Sequence, residues 1–145
     1  MKKHVVILTF LCLASYFTQG QISSIDLQLN TVPNNDPYAE AGPGGFPLPL
    51  HVVSIRAEIN DTSTTRTVSK LHVKLGSSSG AGDLKIKVFD LMHPEVSEDG
   101  SGMAMNGNSA QLMLGTFEHA GTYYVEVKGE WSDGSFGEVF EDSGP

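Results

Sequence analysis

The chain holds a single cysteine, Cys12. It follows Leu11 inside an apolar run instead of standing behind a small residue at a cleavage point, so it reads as part of that run and not as a lipid-attachment site. The rest of the chain then has no thiol for disulfides, thiolate metal sites or cysteine catalysis. Basic residues are also scarce: Lys and Arg number 9 against 17 Asp and Glu, a formal net charge of −8. Nucleic acid and anionic membranes, which call for a strongly positive surface, are excluded as partners on that balance. Helical periodicity is missing over any useful length, which removes all-α and α/β folds. After the first twenty residues there is no further long hydrophobic stretch, no lipid-anchor signal and no internal repeat, so no membrane span is expected there.

The N-terminus has the layout of a secretory signal peptide. Lys2 and Lys3 precede an apolar run from Val5 to Phe17, too short to span a bilayer, and Thr18 and Gly20 are small enough for the −3 and −1 positions of signal peptidase. Cleavage after Gly20 leaves residues 21–145 as one domain that is secreted, cell-surface or periplasmic. Without Lys2 and Lys3 the basic residues fall from 9 to 7 against the same 17 acids, a formal charge of −10. A disulfide-free domain of this size must rely on its core, into which about two thirds of its unfolded surface is buried.

Seven short segments carry the period-two alternation of half-buried strands. Ile25, Leu27 and Leu29 alternate with Asp26, Gln28 and Asn30. A Pro- and Gly-rich loop then runs from Val32 to Pro49, and a second strand covers Leu50 to Ile59. Past the polar turn Asn60 to Thr67, the stretch Val68 to Leu75 sets Leu71, Val73 and Leu75 against Lys70, His72 and Lys74. In the fourth segment Leu84, Ile86 and Val88 alternate with Lys85, Lys87 and Phe89, which assigns the first three to the core. The Asn106-Gly107 dipeptide suits a tight turn ahead of a fifth strand containing Leu112 and Leu114. Gly121 to Glu130 and Phe136 to Phe140 complete the set, joined at Asp133-Gly134. The pattern predicts an all-β fold, a seven-stranded antiparallel β-sandwich.

His119-Ala-Gly-Thr-Tyr-Tyr-Val125 resembles the D-x-G-x-Y-x-C corner of immunoglobulin-type domains, with His119 in place of Asp and Val125 in place of Cys. The stretch SIRAEINDTSTTRTVSKLHVKL and the closing EWSDGSFGE are similar to parts of bacterial immunoglobulin-like and fibronectin type III-like modules. The resemblance covers Val52 to Leu75 and Leu114 to Val139 and implies an immunoglobulin-like sandwich without disulfide, in which the Tyr123 ring packs inward and its hydroxyl bonds upstream. Such motifs specify a fold class and no activity.

No catalytic constellation stands out, and no two histidines fall at a metal-ligand spacing with an acid nearby, so no enzyme is expected. No cofactor is expected either. Calcium has weak support from Asp36, Glu40, Asp61, Glu98, Asp99 and Asp133, which form no complete calcium loop and suit ordinary turn chemistry. Asn60-Asp61-Thr62 fits the N-glycosylation pattern.

If the third, fourth and sixth segments are neighbours, as in immunoglobulin-like topology, Lys70, His72, Lys74, Lys85, Lys87 and Lys128 share an outer face with Tyr124, Glu126 and Glu130. Such a face would suit a protein or an anionic polysaccharide at the cell envelope. The plainer alternative is a solvated sheet with cross-strand Lys–Glu pairs. Trp131 and Tyr124 are candidate sugar-stacking platforms, with edge packing as the alternative for Trp131. Tyr38 and Phe46 lie in the long loop, which is either a recognition loop or a cover over a sheet edge. The functional expectation is an exported, non-catalytic binding or adhesion module. A carbohydrate-active accessory domain or small hydrolase, and a structural subunit assembling through edge strands, stand as alternatives.

Overall fold

The computed structural model describes residues 22–37, 45, 47–60 and 66–145. The expected signal peptide with Cys12 and its expected cleavage point, together with Tyr38, Glu40, Phe46 and Asp61, lie outside the described residues. Those described form eight strands and no helix: β1 (Ile22–Val32), β2 (Leu50–Ile59), β3 (Val68–Gly76), β4 (Lys85–Asp90), β5 (Gly102–Asn106), β6 (Ser109–Phe117), β7 (Tyr123–Trp131) and β8 (Phe136–Gly144). They pair into two antiparallel four-stranded sheets, in the orders β1-β2-β6-β5 and β4-β3-β7-β8.

The count is one strand higher than the alternation suggests. Gly102–Asn106 pairs with β6 across the Asn106-Gly107 turn, where Gly107 takes φ +61°, a conformation a side chain disfavours. Met103 is the only residue of this short arm that buries a side chain, so its apolar face is too small to register as an alternating pattern.

The alternating residues meet in one core between the sheets. Val53, Ile55, Leu112 and Leu114 come from the first sheet, and Leu71, Val73, Leu75, Tyr123, Val125 and Val127 from the second. Burial of this kind contributes about 25 cal/mol per Å² of apolar surface, and it must serve here without any disulfide among the described residues. Tyr123 is wholly buried. Its hydroxyl lies 3.4 Å from the Phe117 carbonyl and 3.3 Å from that of His119, which share its proton, and 3.1 Å from His51 Nδ1. The upstream bonding expected of the 119–125 stretch is therefore present.

Of the four register shifts among the described strands, two lie in the β2–β6 and β7–β8 pairs. In the β2–β6 pair, Val53 stands opposite Gly115 and Ser54 opposite Met113, which leaves Leu114 as the extra residue. In the β7–β8 pair, Lys128 stands opposite Val139 and Glu130 opposite Phe136, so β8 holds the extra residue there. An extra residue reverses which side of the sheet the following side chains occupy. Phe140 consequently packs on the core while Phe136 comes to the outer face.

Candidate functional site

The outer face of the β4-β3-β7-β8 sheet gathers most of the candidate residues. Because Leu71, Val73 and Leu75 point into the core, Lys70, His72 and Lys74 of β3 must point away from it. The same parity turns Tyr124, Glu126, Lys128 and Glu130 of β7 outward. Across the sheet, Asp90, Lys70, Glu130 and Phe136 form one row. Val88, His72, Lys128 and Val139 form the next, followed by Ile86, Lys74, Glu126 and Glu141. Gly76, Tyr124 and Ser143 end the face.

The charges in the middle of this face are engaged with one another. His72 Nε2 donates to Glu130 Oε2 at 2.6 Å, and Lys74 Nζ lies 3.8 Å from Glu126 Oε1. Lys128 sits over the Phe136 ring at 4.2 Å, and the His72 and Phe136 rings meet edge to face with centroids 5.1 Å apart. A depression of about 90 Å³ lies between β4 and the central strands, lined by His72, Lys74, Ile86, Val88, Glu126 and Lys128 among others. The face is thus charge-balanced and not basic.

Lys85 and Lys87 do not belong to it. In the register of β3 with β4, they stand opposite the core residues Leu75 and Val73, while Ile86 and Val88 stand opposite Lys74 and His72. The parity read from the alternation of β4 is therefore reversed. Its core-side set is Phe89 together with the aliphatic stems of the two lysines, whose ammonium groups reach the segment following β4. There Lys85 contacts Asp99 directly, and Lys87 donates to Ser97 Oγ at 2.9 Å and lies 4.0 Å from Asp99. With Lys85 first and then Ser101 donating to it, the Asp99 carboxyl is held far below its ordinary value of 3.8.

The two aromatic candidates are not neighbours. Trp131 is only 5 % exposed, with the Arg66 guanidinium 4.5 Å above its ring, and Arg66 in turn donates to Asp133 and Ser135. Tyr124 lies seven residues away on β7 and on the opposite side of the sheet, about 24 Å along the strand. A single sugar ring cannot use both. Tyr124 instead borders a hollow of about 330 Å³ together with Ser79, Gly80, Glu141 and Ser143.

Of the acids proposed for calcium, Asp99 and Asp133 are occupied by their own turns. Asp99 accepts from Ser101 as well as Lys85, and Asp133 accepts from Ser135 and Arg66. Among the described residues no group of three or more His, Cys, Asp or Glu side chains is arranged to hold a metal ion. A hollow of about 280 Å³ beside β4 includes Asp90, His93 and Ser97. His93 Nδ1 is 3.2 Å from Asp90 Oδ2, but the Ser97 hydroxyl accepts from Lys87, and the His93 side chain is 75 % exposed.

The alternation missed the outward apolar residues. Ile86 is 65 % exposed, Val88 44 %, Phe136 52 % and Val139 44 %, and all four flank the charged centre of this one face. Phe89 and Leu91, which share the parity of Lys85 and Lys87, carried the only available signal in β4. No helix among the described residues is long and apolar enough to cross a membrane. No family model, curated protein or solved structure matches the chain.

Proposed function

We propose that the protein is an exported, non-catalytic, immunoglobulin-like β-sandwich that works as a binding or adhesion module at the cell surface or in the extracytoplasmic space, and that its ligand is a protein held on the outer face of β4-β3-β7-β8. The strand orders support the immunoglobulin-like reading. Labelled A to G along the chain with β4 as C′, they become A-B-E-D and C′-C-F-G, the sheets of that fold with one added edge strand. The Tyr123 corner agrees. The signal peptide supports export.

One observation carries the choice of ligand: Ile86, Val88, Phe136 and Val139 are exposed on one face whose central residues His72, Glu130, Lys74 and Glu126 are paired with one another. Apolar groups concentrated in this way mark a protein contact more than a polysaccharide contact. A polyanion would need unopposed lysines, whereas Lys85 and Lys87 are turned to the other side and tied to Asp99 and Ser97. Interfaces that bind strongly put apolar groups at the centre and charges at the rim. This face has the reverse order, so modest affinity is expected.

The test compares the immobilised protein with a variant carrying Ile86→Thr, Val88→Thr, Phe136→Thr and Val139→Thr, substitutions that keep strand-forming residues on the edges. Envelope proteins retained by the former and lost by the latter, at unchanged melting temperature, are the expected result. Retention of anionic polysaccharide, or protein retention indifferent to the four threonines, would overturn the reading.

A further inference from the structure

Resting on the reading of this face as a protein-binding surface, we infer that its occupant is a second copy of the same chain, joined face to face by a two-fold axis that runs parallel to the strands between β3 and β7. Charge is divided unevenly across that midline. On the β4–β3 side the outward charged residues are Lys70, Lys74 and Asp90, with His72 beside them; on the β7–β8 side they are Glu126, Glu130, Glu141 and Lys128. One half is biased positive and the other negative.

A two-fold axis in this position lays each half on the opposite half of the partner, as an isologous contact requires. Each row meets its own mirror order. Lys70 comes over Glu130 of the other copy, Lys74 over its Glu126, and Val88 over its Val139. Facing sheets stand about 10 Å apart, a gap that extended Lys and Glu side chains bridge.

The isolated face leaves one cation that this contact would engage. Lys70 lies in no ion pair among the described residues: its register neighbour Glu130 engages His72 through Oε2, and Asp90, which feels Lys70 only at longer range, accepts from Met92 and His93. The second copy brings its own Glu130, of which only Oε2 is engaged by His72, over Lys70. A face of four strands and four rows measures about 15 by 20 Å, which belongs to the class of small, weak interfaces. Self-association is therefore expected only in concentrated solution.

Sedimentation equilibrium of the purified protein from about 10 µM to about 1 mM tests this, using the wild type, Lys74→Glu, Glu126→Lys and an equimolar mixture of the two variants. Each variant alone faces its own like charge across the axis and should associate at least about tenfold more weakly than the wild type. In the mixture, Glu at position 74 meets Lys at 126 and the native pair meets on the other side, so association should return toward the wild-type level. A misfolded variant could not give that recovery. A wild type that stays monomeric throughout, or a mixture no better than either variant alone, would overturn the self-pairing. Such a failure is separable from failure of the protein-binding reading, whose retention assay runs at concentrations below those at which copies pair.

Discussion

The backbone N–H of Leu27 on β1 donates to Oδ2 of Asp142 on β8 at 2.8 Å, across 115 residues of sequence and from one sheet to the other. Leu27 stands opposite Ile55 of β2, yet its N–H points to the free side of β1. The acid therefore covers a donor that an edge strand would otherwise offer to another chain. Close by, a side chain at Gly144 would come within 3.0 Å of Leu29, so β1 and β8 close this side of the molecule. Pairing through the β1 edge is disfavoured for that reason, and the outer face of the second sheet becomes the more available surface.

Asp142→Ala should lower stability by about 1 to 2 kcal/mol, because the Leu27 N–H loses its acceptor, and Asp142→Asn should lower it less because an amide oxygen can still accept. Urea denaturation of the three proteins checks the order. No loss in Asp142→Ala would mean that the bond contributes little.

Tyr123→Phe keeps the buried ring and removes the hydroxyl that serves the Phe117 and His119 carbonyls. The expected loss is about 1 kcal/mol at neutral pH. Burial raises the Tyr123 phenol above its ordinary value of 10.0. The unfolded phenol therefore ionises first, and wild-type stability falls as pH rises from 10 through the folded value. Denaturation at pH 7 and in the alkaline range should show the advantage of tyrosine over phenylalanine narrowing upward.

Acid should act through Asp99. Its folded value lies below 3.8, so the stability it contributes is present above that value and is lost as pH falls through the folded one. Asp83, Asp90 and Asp133 are shifted in the same direction, chiefly by Ser77, the Met92 N–H and Ser135. Asp99→Asn is expected to melt below the wild type at pH 6, with the gap closing as pH drops below about 3. A gap that stays constant from pH 6 to pH 2 would show that Asp99 stays outside this linkage.

Trp131 is the one tryptophan of the chain, and Arg66 covers it. Arg66→Ala should shift the emission maximum to longer wavelength as water reaches the indole, with a stability loss of about 0.5 to 1 kcal/mol. Unchanged emission would place the shielding of Trp131 elsewhere.

The sequence made the sheets legible where an apolar face was long. Leu71, Val73 and Leu75 on β3, and Tyr123, Val125 and Val127 on β7, are buried as their alternation indicates. It misled in β4, a strand of six residues at a sheet edge. There the core side is filled in part by lysine stems anchored on Asp99, a contact set by the fold of residues distant from the strand's own pattern. Phe136 was hidden for a different reason: the β8 bulge reverses its side, and no local periodicity announces an extra residue. The candidate surface was thus found from Lys70, His72, Lys74, Tyr124 and Lys128. Its apolar flanks emerged only with the register, which also decided for the alternative of cross-strand pairing between lysine and glutamate at Lys74 and Glu126.

The central claim is that the outer face of β4-β3-β7-β8 is the surface that binds. Amide chemical shifts followed by NMR while the purified protein is concentrated, and again with the captured partner protein added, test it most directly. The account expects the changes to cluster on Lys70 to Lys74, Ile86, Val88, Glu126 to Glu130, Phe136 and Val139. Changes centred on β1, β2 and β6, or none on the named rows while binding occurs, would contradict it.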